Sequence, residues 1–169
     1  MKFLHFNLVS IILFSLLSSC SNDDNAINFD QSSTIIDDSK VEYSAIESEI
    51  LDLINTHRKS IGIADLTPLN IISSIADGHT EYMIKVCKLS HDNFAKRFQD
   101  LVENTDAKLV AENVAYGYSS SQGVVNGWLN SQTHKDIIEN PKFTHFGIST
   151  ESCKITNKNY FTQIFIRKE

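Results

Sequence analysis

The sequence predicts an α+β domain in which helices pack on a small antiparallel sheet. Apolar residues recur at helical spacing through the first half of residues 45–169, whereas the apolar alternation typical of strands comes mostly towards the end. The region spans about 125 residues, which is the length of one domain. We find no internal repeat in it.

Two helical patterns open the domain. The first covers residues 45–60 and is followed by Gly62, a residue type that commonly ends a helix. The second covers residues 68–86 and starts with a proline, which suits a first helical turn. Each pattern places a histidine on a face that also holds core residues, His57 in the first and His79 in the second. We expect both to be hydrogen-bonded core residues rather than ligands.

Short elements follow in the middle of the domain. After a polar break at residues 88–93, residues 95–102 predict a short helix and residues 108–116 predict a strand. Residues 122–129 predict another helix, and a hydroxyl group from residues 119–121 is expected to cap its start.

The last part of the chain predicts one more helical turn and a β-hairpin. Ser131 is a good N-cap for a turn at residues 132–139, and Pro141 prevents that turn from continuing. Residues 146–153 and 160–166 have the composition of strands, and the polar residues between them suit a turn.

Residues 1–19 predict a lipoprotein signal peptide. Lys2 provides a minimal positive charge, residues 3–17 are mostly apolar, and Leu17-Ser18-Ser19-Cys20 resembles a bacterial lipobox, in which the cysteine is lipidated. The alternatives are an ordinary secretory signal and a transmembrane anchor, although the apolar run is shorter than the roughly 20 residues of a spanning helix. The lipobox predicts that a lipid anchor at Cys20 attaches the protein to a membrane.

Residues 20–44 predict a disordered acidic tether. From Cys20 to Tyr43 there are six acidic residues and one lysine, in a chain of net charge −6. The segment Ser21-Asn22-Asp23-Asp24 resembles the acidic export signals of surface lipoproteins, and a plain soluble linker is the alternative. The sequence lacks the basic patch that a nucleic-acid partner requires. We therefore expect an extracytoplasmic monomer on the bacterial outer membrane or cell surface, with no nucleic-acid partner.

Two cysteines remain once Cys20 is assigned to lipidation. Outside the cytoplasm, a pair such as Cys87 and Cys153 commonly forms a disulfide. The alternative is that both are free thiols that behave as small apolar residues. We favour the disulfide, and we assign no catalytic role to either cysteine.

Three separate islands of sequence each hold one group that binds metals or moves protons. They are His91 in Ser90-His91-Asp92, Glu112 in Ala111-Glu112-Asn113, and His134 shortly after Trp128. Two imidazoles and one carboxylate, with a water, form the open ligand shell of a catalytic-type zinc site. Without a metal, the carboxylate can orient one histidine while the other acts as a base.

These islands, in this order, resemble the bacterial branch of the CAP superfamily, which includes cysteine-rich secretory proteins, antigen 5 and plant pathogenesis-related proteins. The resemblance runs from about residue 46 to residue 166. It rests on the following residues: Asn55, Arg58, Gly62, Leu66, Met83, Ser90, His91, Glu112, Asn113, Trp128, Ser131, His134, Asn140, Pro141, Phe146, Gly147 and Ile148. The resemblance implies a three-layer α-β-α sandwich with a central antiparallel sheet.

The resemblance also implies a cleft. In eukaryotic members, two histidines and two glutamates line a cavity in which metal has been found in some cases. His91, Glu112 and His134 match three of these four positions, and Ser131 occupies the position of the second glutamate. The implied cofactor is zinc or another divalent metal, held by His91, Glu112 and His134.

Three functions remain open from the sequence, and it does not decide whether the protein is an enzyme. The first is a module that binds a metal or a small ligand in the His-Glu-His cleft. The second is a metal-dependent, peptidase-like hydrolase, although neither Ser90 nor Ser131 lies in a known serine-enzyme motif. The third is an interaction or scaffold protein with a vestigial cleft. A lipid, a sterol or a peptide would be the organic ligand.

Overall fold

A computed structural model describes residues 41–168, which form five helices and four strands. The signal peptide, Cys20 and nearly all of the predicted tether lie outside the described residues. The elements are α1 (Ala45–Ser60), β1 (Thr67–Pro68), α2 (Asn70–Val86), α3 (Phe94–Thr105), β2 (Leu109–Tyr116), α4 (Ser121–Leu129), α5 (Gln132–Ile138), β3 (His145–Cys153) and β4 (Lys158–Arg167).

The four strands form one sheet in the order β1-β3-β4-β2, so β2 lies at an edge. β4 pairs antiparallel with β3 on one side and with β2 on the other, which confirms the antiparallel sheet that the sequence predicts. β1 was not predicted, and it pairs parallel with the first residues of β3. With only two residues, this strand leaves no alternation in the sequence to detect.

Helices cover both faces of the sheet, which confirms the three-layer α-β-α sandwich. α1, α4 and α5 pack on one face around a core that includes Phe146, Phe161 and Phe165. α2 and α3 pack on the other face, where Ile72 and Leu101 contact the side chains of β4. Within residues 41–168, no helix is both long enough and apolar enough to cross a membrane.

The residues at the helix termini explain which predicted helix boundaries are correct and which are not. α1 has the predicted bounds, and a capping box starts it: the backbone N–H of Glu47 donates to the Ser44 hydroxyl, and Glu47 accepts from the Ser44 N–H. α2 starts at Asn70 rather than at Pro68, because Pro68 lies in β1 and Leu69 is extended.

Arg58, near the end of α1, fixes the position of α5. Its side chain is fully buried, and it donates to backbone carbonyls of Ala64 at 2.8 Å, Ile138 at 2.6 Å and Asn140 at 3.1 Å. These carbonyls lie after α1 and at the end of α5. A buried guanidinium surrounded by carbonyl acceptors thereby anchors the helix that carries His134.

Candidate functional site

The predicted site residues converge on the edge of the sheet, at β2. The side chain of Glu112 faces the α2–α3 layer, where it contacts Arg97 and His91. The neighbouring Asn113 faces the other layer, and its side-chain amide donates to the backbone carbonyl of His134 at 3.4 Å. Successive residues of one edge strand thus connect to both helical layers.

Arg97 forms a bidentate ion pair with Glu112. Its Nε donates to Glu112 Oε2 at 2.7 Å and its Nη2 donates to Oε1 at 2.8 Å. The two side chains are only 8% and 1% exposed. Arg97 was not predicted as a site residue, although its position gives a signal: it lies on the buried stripe of α3, four residues before Leu101.

His91 lies in the segment between α2 and α3 and is half-exposed. Its Nδ1 is 2.8 Å from Glu112 Oε1. Burial alone would raise the pKa of Glu112, but hydrogen bonds from His91 and Arg97 outweigh burial and hold that pKa below its usual value. Because an ionised carboxylate only accepts, His91 donates to it from Nδ1, and in the neutral imidazole Nε2 then carries the lone pair.

His79 is a third histidine next to the same carboxylate. As predicted, it is a buried, hydrogen-bonded residue: its Nε2 donates to the Ser90 carbonyl at 2.8 Å. It also lies 3.8 Å from Glu112 Oε1. Burial is the main cause of its lowered pKa, so the ring is neutral near pH 7. His79 therefore holds the residue that precedes His91.

His57, the other histidine expected in the core, is only partly buried. Its Nε2 lies 2.8 Å from Glu139 Oε1.

His134 approaches His91 from α5. Its Nδ1 is 2.8 Å from the hydroxyl oxygen of Ser131. Burial lowers the pKa of His134 first, and the nearby charge of His91 lowers it further. The hydroxyl of Ser131 can accept from Nδ1, which leaves Nε2 of His134 able to bind a cation. Trp128 is 2% exposed and donates to the Val114 carbonyl.

The three predicted ligands do not form a three-ligand shell. Among the described residues, no group of three or more His, Cys, Asp or Glu side chains is arranged to hold a metal ion. Both oxygens of Glu112 accept hydrogen bonds from Arg97, which competes with metal for the same lone pairs. Of the three predicted ligands, His91 and His134 are the two that could hold a divalent ion together with water, with Glu112 hydrogen-bonded to His91.

Comparison with known proteins identifies the family. The profile of the cysteine-rich secretory protein family, CAP, matches residues 51–165. The chain belongs to the CAP family. The CAP chain is 32% identical over 127 residues to the uncharacterized membrane protein YlbC of Bacillus subtilis (strain 168), an alignment that covers 72% of the chain and 34% of YlbC.

Solved structures share the fold of this CAP chain. An extracellular protein from Bacillus anthracis str. Ames that contains an SCP domain is 28% identical, with a TM-score of 0.64 over 72% of the chain and 40% of that protein. An outer surface protein from Borrelia burgdorferi is 21% identical, with a TM-score of 0.65 over 72% of the chain and 92% of that protein. Manganese-bound Ac-ASP-7, at 14% identity and a TM-score of 0.51, has the same fold over 79% of the chain and 74% of that protein.

The two cysteines of the described region are free thiols rather than the predicted disulfide. Cys87 is exposed, and Cys153 is buried. Each sulfur has local partners: Cys87 Sγ donates to the Ile84 carbonyl at 3.4 Å, and the sulfur of Cys153 accepts hydrogen bonds from Ile155 and Thr156.

Proposed function

We propose that this CAP protein binds a divalent metal ion in its cleft, through the Nε2 atoms of His91 and His134. The observation that carries the proposal is that each imidazole already has its Nδ1 hydrogen-bonded, to Glu112 at 2.8 Å and to Ser131 at 2.8 Å. A histidine held in this way has a fixed ring orientation and a defined tautomer, which is the usual arrangement behind metal-binding histidines.

Glu112 has the role of an outer carboxylate in this proposal rather than that of a ligand. Its pairing with Arg97 fixes the carboxylate, and the carboxylate in turn fixes His91. The lowered pKa of His134 supports the same site, because only the neutral imidazole binds a metal. A divalent ion held here would act as a Lewis acid and acidify a bound water.

The cellular setting of the proposal is extracytoplasmic. Relatives of known structure include an extracellular protein and an outer surface protein. The lipobox at Leu17-Ser18-Ser19-Cys20 supports a lipid anchor at Cys20 that would hold the domain at a membrane surface. Manganese in Ac-ASP-7, which shares the fold, supports a search for metal in this protein.

Isothermal calorimetry of the full chain with Zn²⁺ and with Mn²⁺ tests the proposal. We expect saturable binding of one ion per chain, which is lost in the His91→Ala/His134→Ala variant. Ser131→Ala should weaken binding by about 10–100-fold, because it removes the group that orients His134. His145→Ala is the matched control, since His145 lies at the start of β3 and hydrogen-bonds to Thr144.

Absence of binding by the unmodified chain would refute the metal proposal. The cleft would then be an organic pocket for a lipid, sterol or peptide, or the structural relic of a scaffold protein. Binding that persists in the double histidine variant would place the metal elsewhere, and the cysteines would be the next residues to replace.

A hydrolase is the second candidate, and the Glu112–His91 hydrogen bond is the observation that favours it. A carboxylate behind an exposed imidazole is the arrangement of a general base, and His91 is 53% exposed. A screen of peptide and ester libraries, with and without chelator, separates the possibilities. Activity that survives chelation would exclude a metal-dependent hydrolase, and no activity under either condition would leave the binding module.

A further inference from the structure

A second group of reactive side chains lies away from the histidine cleft. Cys87 follows the last residue of α2, in a left-handed conformation with φ of 51°, and Cys153 is the last residue of β3. Both line a cavity of about 620 Å³ between the end of α2 and the β3–β4 turn. Cys87 is exposed at this cavity, whereas Cys153 is only 1% exposed.

The sulfur of Cys153 has an unusual number of donors. The Thr156 hydroxyl, the backbone N–H groups of Thr156 and Ile155, and the thiol of Cys87 are all placed to hydrogen-bond to it. These bonds, led by the Thr156 hydroxyl, lower the pKa of the Cys153 thiol, although burial opposes them. The thiol of Cys153 is therefore more acidic than a free cysteine, and it lies next to the exposed thiol of Cys87.

We propose that Cys87 and Cys153 form a thiol–disulfide exchange site for low-molecular-weight disulfides. The Cys87 thiolate attacks one sulfur of the incoming disulfide RSSR, so that a Cys87–SR mixed disulfide forms and one RS⁻ leaves. The Cys153 thiolate then attacks the sulfur of Cys87, which closes the Cys87–Cys153 bond and releases the second RS⁻. The two cysteines are oxidised, RSSR is reduced, and the two cysteine protons end on two RSH molecules.

Exposure and surroundings assign the two roles. Cys87 makes the first attack because it is exposed to an external disulfide, and Cys153 is the resolving thiol because it is buried in the wall of the same cavity. The cavity accommodates the leaving thiol, and Lys85 and Lys154 in its wall suit a disulfide that bears carboxylates. Glu81 and Glu151 also line the cavity, so its charge is balanced rather than strongly basic.

Reaction of the full chain with glutathione disulfide tests this site. The starting protein carries Cys20→Ser, so that only the two cysteines of the cavity remain, and it is reduced before the reaction. After acid quench and alkylation, mass spectrometry should show a protein lighter by two hydrogen atoms, with Cys87 and Cys153 in one cross-linked peptide pair. The Cys153→Ser variant should instead stop at one glutathione on Cys87.

Two further variants distinguish a loss of the exchange reaction from a loss of folding. Cys87→Ser should react far more slowly than the starting protein, since Cys153 is buried. Thr156→Val removes the first donor to Cys153 and should make the mixed disulfide accumulate before closure. A glutathione adduct that persists on Cys87 while Cys153 is intact would overturn the proposal. So would an unreactive Cys87 in a chain whose circular dichroism is unchanged. Neither result bears on metal binding by His91 and His134.

Discussion

Arg97 determines what the carboxylate of Glu112 can do. A buried carboxylate without a partner would take up a proton, yet here the bidentate guanidinium keeps Glu112 ionised and both of its oxygens bonded. The carboxylate can then accept from Nδ1 of His91. Glu112 therefore makes two kinds of contact. Its ion pair with Arg97 stabilises the fold, and its hydrogen bond orients His91.

Replacement of Arg97 by methionine should destabilise the fold strongly. It removes the guanidinium from a buried ion pair and leaves Glu112 only its hydrogen bond from His91, and breaking a buried ion pair typically costs about 3–5 kcal/mol. Urea denaturation measures this loss, and Arg97→Met/Glu112→Gln should recover part of it, because the charge is then gone. Lys96→Met is the matched control: Lys96 pairs with Asp100 on the surface, so it should change the free energy of unfolding by less than about 0.5 kcal/mol. An Arg97→Met protein as stable as the wild type would contradict the role of the pair.

At the scale of elements, α2 approaches β3 closely at Gly147. A Cβ atom at Gly147 would overlap the backbone nitrogen of Ser73 and lie 2.7 Å from the carbonyl carbon of Ile72. The same contact brings the Ser73 hydroxyl to the N–H of Ile148 at 3.0 Å. The absence of a side chain at Gly147 thus sets the depth at which α2 packs on the sheet, and α2 carries His79 and leads into Cys87 at its far end.

Two glycine-to-alanine replacements in this layer should have opposite effects. Gly147→Ala forces α2 away from β3 and should cost about 1–3 kcal/mol, as overpacking does. Gly78→Ala lies within α2 where an added Cβ meets nothing within 4 Å, so it should stabilise the helix by about 0.5–1 kcal/mol. Thermal unfolding of both variants measures the difference. Equal changes of melting temperature would show that α2 moves away from β3 without cost. The absence of a side chain at Gly147 would then not set the packing distance of α2.

At the scale of the whole molecule, the sequence predicts the layers better than it predicts the contacts around Glu112. Helical and strand patterns located α1, β2, α4, β3 and β4. The Glu112–Arg97 pair was not predicted, because it joins two layers and depends on how α3 is rotated against the sheet. For the same reason, periodicity showed His79 to be buried but not that it lies beside Glu112.

The stability of the whole molecule should fall in acid because of the groups around the cleft. Burial is the main cause of the lowered pKa of His79, with the charges of Arg97 and His91 adding to it, while Ser90 and Glu112 oppose it. The pKa of His79 is lower in the folded protein than the value of about 6.5 expected in the unfolded chain. As pH falls below 6.5, the unfolded chain therefore binds more protons at this residue than the folded protein does. The stability from neutral His79 is therefore complete above that pH and is lost as pH falls towards the folded pKa.

Urea denaturation at a series of pH values measures this loss. From pH 7 to pH 5, the free energy of unfolding should fall by at most about 1.4 kcal/mol per pH unit for each such histidine. His79→Gln retains an N–H donor for the Ser90 carbonyl but has no proton to gain, so its profile should be flatter over this range. Below about pH 4.5 both proteins should lose further stability, because the pKa of Glu112 is lowered in the folded state. A variant profile as steep as that of the wild type would show that folded His79 accepts a proton as readily as it does in the unfolded chain.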